Sequence, residues 1–416
     1  MRDILVLIIT FCSCFVAISR PWVGVLALAL FSYLNPHRYA WGFTRSLPIF
    51  FVVFLSVIFG MVFNGKDRQP FPWTRETLLF FALLAWFSLT TILSPDLPGA
   101  AQEQWIKVMK IYIGIFPTFW MINSKDKLKW LIVVIAVSFG FVGFKGGIWA
   151  VGTGFSNRVY GPDGTFYGGN NEIGLALNMA LPLILLCASE FESKFIKNTF
   201  YTVFFFSVCS IISTWSRGAL LTLFSVLSAI ILGSKKKGRI ISFILVGATM
   251  VAIFIPAENM VSILPEEWFE RMETIQNFEE DKSAMGRLDA WEYAISRASS
   301  NPLFGGGFET FRIHGRDVHS AYFEILGEHG YFALILWLSL LFGTMVALQR
   351  LRKHALEIEG FLWVRDYARA IQISLLGYAV GGIFLGVAYW DFFYHLVALC
   401  VLMKVFLYRG FAEQRS

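Results

Sequence analysis

Residues 130–150, WLIVVIAVSFGFVGFKGGIWA, decide the fold class, because they run from Trp130 to Ala150 with a single charge, Lys145. At about 1.5 Å per residue such a run is as long as a hydrocarbon core of about 30 Å is thick. In lipid the backbone must satisfy its own hydrogen bonds, so the run reads as a helix crossing a membrane. Working outward, comparable runs lie at 4–18, 22–34, 46–63, 76–93, 105–122, 171–189, 198–214, 217–233, 239–256, 329–350, 369–388 and 392–408. The first two are short, and read as a tight hairpin or as one long bent element around Arg20-Pro21. Over all 416 residues, 56% are hydrophobic and 15% charged, and the mean hydropathy is +0.61. A soluble domain carries roughly 25% charged residues. The expectation is an all-α polytopic membrane protein with about 12–13 transmembrane helices.

The N-terminal Met1-Arg2-Asp3 precedes an apolar stretch with no small-residue cleavage site after it, and reads as a retained helix. No internal repeat is evident, which speaks against repeat-built transporters. Four segments follow: N-terminal transmembrane helices (1–150), central ones (151–256), a large polar segment (257–328), and C-terminal helices with a tail (329–416). Basic residues orient them. Lys66 and Arg68; Lys125, Lys127 and Lys129; Lys194 and Lys197; Lys235, Lys236, Lys237 and Arg239; and Arg350, Arg352, Lys353, Arg365 and Arg369 lie in alternate loops. Such loops stay in the cytoplasm. Loops 35–45, 94–104, 151–170 and 257–328 then face outward, towards the periplasm in a bacterial inner membrane, and the C-terminus lies inside. In the polar segment, Pro265 to Met272 starts like a helix. A second helical pattern runs from Arg287 to Ser299, with Leu288, Trp291, Ala294, Ile295 and Ala298 on one face.

Against the positive-inside pattern, several basic residues face outward: Arg158, Arg217, Arg287, Arg312 and Arg316, with Lys107, Lys110 and Lys145 near outer helix ends. Snorkelling or an ion pair explains any one of them. For the set, one anionic ligand explains more, since planar guanidinium groups suit phosphate oxygens. A lipid-linked phosphate or pyrophosphate at the outer leaflet is the candidate. In Thr214-Trp215-Ser216-Arg217-Gly218, Arg217 stands where two apolar runs meet with almost no loop, and Ser216 and Gly218 allow a tight turn near a ligand.

Six histidines occur: His37, His314, His319, His329, His354 and His395. His319, beside Asp317 and just before a membrane-bound run, is the candidate general base, with His314 and His329 as competitors. A metal site is not expected: there is no His-x-x-x-His or Asp-x-Asp, and Glu279-Glu280-Asp281 reads as a solvated turn. Gly305-Gly306-Gly307 has no Lys-Ser/Thr partner and reads as a packing turn, not a nucleotide loop. Cys12, Cys14, Cys187, Cys209 and Cys400 all fall in apolar runs, which argues against disulfides or a thiolate site. No cofactor is expected, and nothing points to nucleic acid.

Thr214 to Gly218 opening a span, Arg287 with Trp291 downstream, the run Asn301 to Phe308, and His319 together resemble the O-antigen ligase and polymerase superfamily over roughly residues 150–400. The N-terminal Arg20 to Val25 and Asn35 to Phe43 resemble the branch described as exosortase-associated O-glycosylation ligases. The resemblance implies a helical glycosyltransferase of the C class. Such an enzyme transfers a glycan from undecaprenyl pyrophosphate to lipid A–core in the periplasm, inverting and without a metal. It implies His319 as base, and Arg217, Arg287, Arg158, Ser216, Arg312 and Lys107 as substrate-binding residues. Many relatives carry Asn after the histidine, where this chain has Ser320. The alternatives are an O-antigen polymerase or protein O-oligosaccharyltransferase with the same chemistry, and a lipid-linked glycan transporter. A transporter would place charges at mid-bilayer, whereas here they cluster at outer helix ends and in the polar segment.

Overall fold

The structure is a computed structural model that describes residues 1–64, 68–93, 96–233 and 282–415. Among them there is no β-strand. Every candidate span that falls within these residues is a helix. In chain order these are α1 (Arg2–Ser19), α2 (Pro21–Tyr33), α3 (Ile49–Phe63), α4 (Arg75–Ile92), α5 (Pro98–Met121), α6 (Lys125–Gly152), α7 (Asn170–Glu190), α8 (Lys194–Ile212) and α9 (Arg217–Leu232). Then come α10 (Lys282–Ser300), the single turn α11 (Phe311–His314), α12 (Ala321–His354), α13 (Leu362–Gly381) and α14 (Asp391–Arg415). Arg20-Pro21 does separate two helices rather than bend one. Among the described residues, seven helices, α1, α4, α6, α7, α8, α12 and α14, are long and apolar enough to cross a membrane, and α2, α3 and α9 are apolar but shorter. The remaining long ones carry more polar residues, such as Gln102, Glu103 and Lys107 in α5 and Arg365, Arg369 and Gln372 in α13. The expected span 239–256 and the helix start at Pro265 lie outside the described residues, as does Glu279-Glu280-Asp281. Several boundaries differ from expectation, two of them next to the candidate site. The last helix before 390 stops at Gly381, and the helix expected at 329 begins at Ala321.

The chain forms two compact units, Met1–Pro70 with Pro117–Phe269, and Phe71–Phe116 with Glu270–Ser416. In the first, α6 packs along α8 through small residues. A Cβ on Gly140 would lie 2.8 Å from Val203 Cγ1, and Cβ atoms on Gly143 and Gly147 would collide with Ser207 and the Phe206 carbonyl. Such small-residue seams let apolar helices approach where lipid offers no hydrophobic drive. Segment 35–45 holds the loop between α6 and α7. Asn35 Nδ2 donates to the Tyr167 hydroxyl at 3.3 Å, Tyr167 in turn donates to the Tyr33 carbonyl, and Arg45 pairs with Asp163 at 3.7 Å.

In the second unit α12 is broken at Gly330, whose φ of 77° is left-handed. A Cβ there would lie 2.5 Å from the Pro302 carbonyl oxygen, so only glycine fits. The break strands the carbonyls of the preceding turns, and the glycine run satisfies them. Gly306 N–H donates to the Gly327 carbonyl at 2.9 Å, Gly307 N–H to that of Glu328 at 2.8 Å, and Pro302 accepts from Tyr331 N–H at 2.9 Å. The run at 305–307 is thus the cap of a short helix, 321–329. That short helix is tied down at both ends. Ala321 N–H donates to the Gly382 carbonyl at 2.8 Å, and Trp86 Nε1 donates to the His329 carbonyl at 3.2 Å.

Candidate active site

Position 319 sits immediately before the short helix. Residues 317–320 lie outside any helix, Ser320 is extended, and His319 has a left-handed φ of 45°. A side chain held in that region costs about 1–3 kcal/mol unless its surroundings fix it. They do. On α10 the buried face is Ala290, Ala294 and Ala298, small enough for close packing, and Trp291 beside them donates its indole N–H to the Val318 carbonyl at 3.1 Å. Trp291 also stacks on Phe323 with ring centroids 4.8 Å apart. His319 is therefore clamped on one side by Trp291 and on the other by the Ala321–Gly382 bond, while its ring is half-buried. Arg287 lies one turn before Trp291 on the same helix face, half-buried.

Leu288 and Ile295, expected on the packed face of this helix, are 43% and 45% exposed. The alanines, not the large apolar residues, define the face that packs.

The competing histidines are otherwise engaged. His329 is fully buried, with Nδ1 2.7 Å from Thr90 Oγ1 and its ring 4.4 Å from Phe87 and Phe308. It belongs to the core. His314 lies 3.1 Å from Asp289 and stacks on Tyr293 at 4.5 Å. Arg316 pairs with the same Asp289 at 3.2 Å. Arg312 is exposed and bound to Glu309 at 2.6 Å, and Lys107 is exposed on α5.

In the first unit the turn 213–217 gathers the other predicted residues. Trp215 is left-handed, with φ 54°, and its indole donates to the Phe155 carbonyl at 3.2 Å. Val159 N–H donates to Ser213 at 2.9 Å, which brings the preceding residue, Arg158, onto Trp215 with its guanidinium 4.9 Å from the ring centroid. Ser216 is the N-cap of α9, accepting from Ala219 N–H at 3.2 Å. Its buried hydroxyl thus has a helix to start. Arg217 is the first residue of that helix. The N-terminus of α7 lies alongside, where Asn170 donates to the Thr214 carbonyl at 2.9 Å and Gly174 lets Ala219 approach. Two helix N-termini with two guanidinium groups make a field that favours an anion.

Three groups escaped sequence reasoning. Glu328 is 5% exposed, yet accepts from Glu309 N–H at 2.7 Å and from the Tyr389 hydroxyl at 2.5 Å. Burial, and then the Glu328 carboxylate, push the Tyr389 phenol well above its ordinary range, so it remains a donor. Glu324, one turn earlier, accepts from Ala388 N–H at 3.0 Å. Asp96 takes Arg297 and the Thr310 hydroxyl, the latter at 2.7 Å. The i, i+4 spacing of Glu324 and Glu328 was the available signal. Among the described residues no group of three or more His, Cys, Asp or Glu could hold a metal ion.

These features define a multi-pass helical membrane protein. Residues 202–338 match the family model described as O-Antigen ligase, which supports a glycosyl-transfer function of the ligase or polymerase type. Residues 1–188 match a family of unknown function. No curated protein matches the chain. The first match holds Ser216, Arg217, Arg287, Arg312 and His319, and the second holds Lys107 and Arg158. Lipid-linked glycans and membrane lipids are the general partners of such enzymes.

Proposed function

We propose that this protein is an O-antigen ligase that moves a glycan from undecaprenyl pyrophosphate onto lipid A–core at the periplasmic face of the inner membrane, within a helical fold of the C class of glycosyltransferases. His319 takes the proton of the acceptor hydroxyl. That oxygen attacks the anomeric carbon from the face opposite the leaving group, the bond from carbon to the phosphate oxygen breaks, and the pyrophosphate departs on its lipid. Configuration inverts. Arg158, Arg217 and Arg287 are each assigned to phosphate oxygens, where fixed cations stabilise developing negative charge. Arg312 and Lys107 are assigned outer roles in drawing the anionic donor in, and Ser216 holds Arg217 by starting its helix.

The observation that carries this reading is the clamped, left-handed His319 with Arg287 one turn from its Trp291 anchor. The test is purified protein with lipid-linked glycan and either lipid A–core or a second glycan chain. Glycosylated lipid A–core is the expected product. Chain extension alone would make the protein a polymerase, and donor movement with no transfer would make it a transporter. Transfer is expected to persist in excess EDTA, since the arginines supply the positive charge. Loss of activity that Mg²⁺ or Mn²⁺ restores would overturn that part.

A further inference from the structure

Glu324 stands in the first turn of the short helix that His319 leads into. Its N–H donates to the Ser320 carbonyl at 2.8 Å, so it lies one turn, about 5.4 Å along the axis, from the residue that follows His319. Its side chain is half-buried. Oε2 accepts from Ala388 N–H at 3.0 Å. Among the described residues Oε1 has no hydrogen-bond partner, and the group has no ion pair.

Facing this carboxyl group is the segment between α13 and α14, residues 382–390, in the same compact unit. The segment is held at several points. Ala321 N–H binds the Gly382 carbonyl at 2.8 Å, and the buried Tyr378 and Tyr394 donate to the Val387 and Ala388 carbonyls at 2.8 and 2.9 Å. Ala388 N–H is thus a fixed donor, and Glu324 is pinned before any ligand arrives. Gly386 is exposed, and a Cβ there would stand 3.5 Å from Cδ, Oε1 and Oε2 of Glu324 alike. Only a point above the flat face of the group keeps those three distances equal. The contact would be an ordinary one, and Gly386 is not among the left-handed glycines, so neither a clash nor the backbone asks for glycine here. What glycine does provide is an uncovered approach to the carboxyl group.

We propose that Glu324 binds the acceptor sugar, Oε1 accepting from a hydroxyl next to the one that His319 deprotonates, with the sugar ring entering over Gly386. This rests on the transfer reading given above. Two neighbouring hydroxyls of one sugar, held by two groups one helical turn apart, fix the direction from which the attacking oxygen arrives. The acceptor class is then a sugar whose glycosylated hydroxyl has a free hydroxyl beside it.

The test measures transfer by the full chain from lipid-linked glycan to lipid A–core, for the wild type, Glu324→Gln and Gly386→Val. Glutamine keeps a carbonyl oxygen for Ala388 N–H and loses the second acceptor oxygen. The KM for lipid A–core is expected to rise about tenfold, with the KM for the donor and Tm unchanged. Gly386→Val covers the group and should raise the same KM severalfold; if Glu324→Gln does not accumulate, this variant carries the test alone. A lipid A–core without the neighbouring hydroxyl should serve the wild type and Glu324→Gln equally. Wild-type acceptor KM in the variants, or an equal rise for donor and acceptor, would leave Glu324 as a brace for residues 382–390 and overturn the proposal. If the wild type extends a glycan chain instead, that chain is the acceptor in the same comparison. A wild type that transfers to neither overturns the transfer reading and this proposal together.

Discussion

At position 319 one residue carries two separable properties, a ring and a bend. The ring is assigned to proton removal; the bend, with φ 45°, sets where the ring stands. His319→Gly keeps the bend without strain and removes the ring. That variant is expected to accumulate like wild type and to lose transfer by about 10²–10⁴-fold. His319→Ala should lose as much activity, and it keeps the left-handed strain that the histidine already bears, so the bend itself should change its stability little. Near-normal turnover in His319→Gly would leave the bend as the whole contribution. For Arg217 and Arg287 the question is geometry rather than charge. Arg217→Lys and Arg287→Lys keep the positive charge but lose the bidentate fork, so each is expected to reduce transfer severalfold or more. If both turn over normally, their roles are structural. His329→Ala belongs to another class: it empties a buried site against Thr90, Phe87 and Phe308. It should lower Tm before it touches the chemistry.

Among the elements, the broken α12 decides how the site is held. Gly330→Ala puts a Cβ 2.5 Å from the Pro302 oxygen and forces a left-handed alanine. A loss of at least about 1–3 kcal/mol is expected, read as a lower Tm in detergent together with weaker transfer. An unchanged Tm would mean that the helix can straighten. Trp291→Phe is the gentler probe: it keeps the stack on Phe323 and deletes the bond to Val318, a loss of about 1 kcal/mol. Most helices were legible from hydropathy because length and apolarity are local properties of the chain. The break was not, since Gly330 stands inside Gly327-Glu328-His329-Gly330-Tyr331-Phe332-Ala333-Leu334, which continues into apolar sequence on the C-terminal side. What bends the helix there is a backbone contact with Pro302, and no helical pattern encodes it. The same holds in part for α10, where periodicity put Leu288 and Ile295 on one face with Ala294 and Ala298, but packing buries only the alanines, with Ala290. Of the candidate site, the histidine and arginines stand out in the sequence by type and motif. Glu328 does not, because its partners Glu309 and Tyr389 come from distant loops.

For the molecule as a whole, the alternating basic loops fix an expected orientation, with residue 283 outside and residue 234 inside. A protein with its own cysteines replaced, carrying either Ser283→Cys or Ser234→Cys, tests it. A membrane-impermeant thiol reagent should label the first in intact spheroplasts and spare the second. Cys12 is exposed and has to be replaced, whereas Cys187, Cys209 and Cys400 are buried. The reverse labelling would put His319 in the cytoplasm, away from any periplasmic acceptor.

The glycine cap on the broken helix also has a kinetic consequence. Gly306 and Gly307 reach Gly327 and Glu328 across only about twenty residues of chain, and contacts of such short separation form early and fast. The ribosome delivers the cap before the helix that it closes. The segment behind His319 can therefore fold as a nearest-neighbour event, while α4, which reaches the same short helix through Trp86, waits in the membrane as an already synthesised wall.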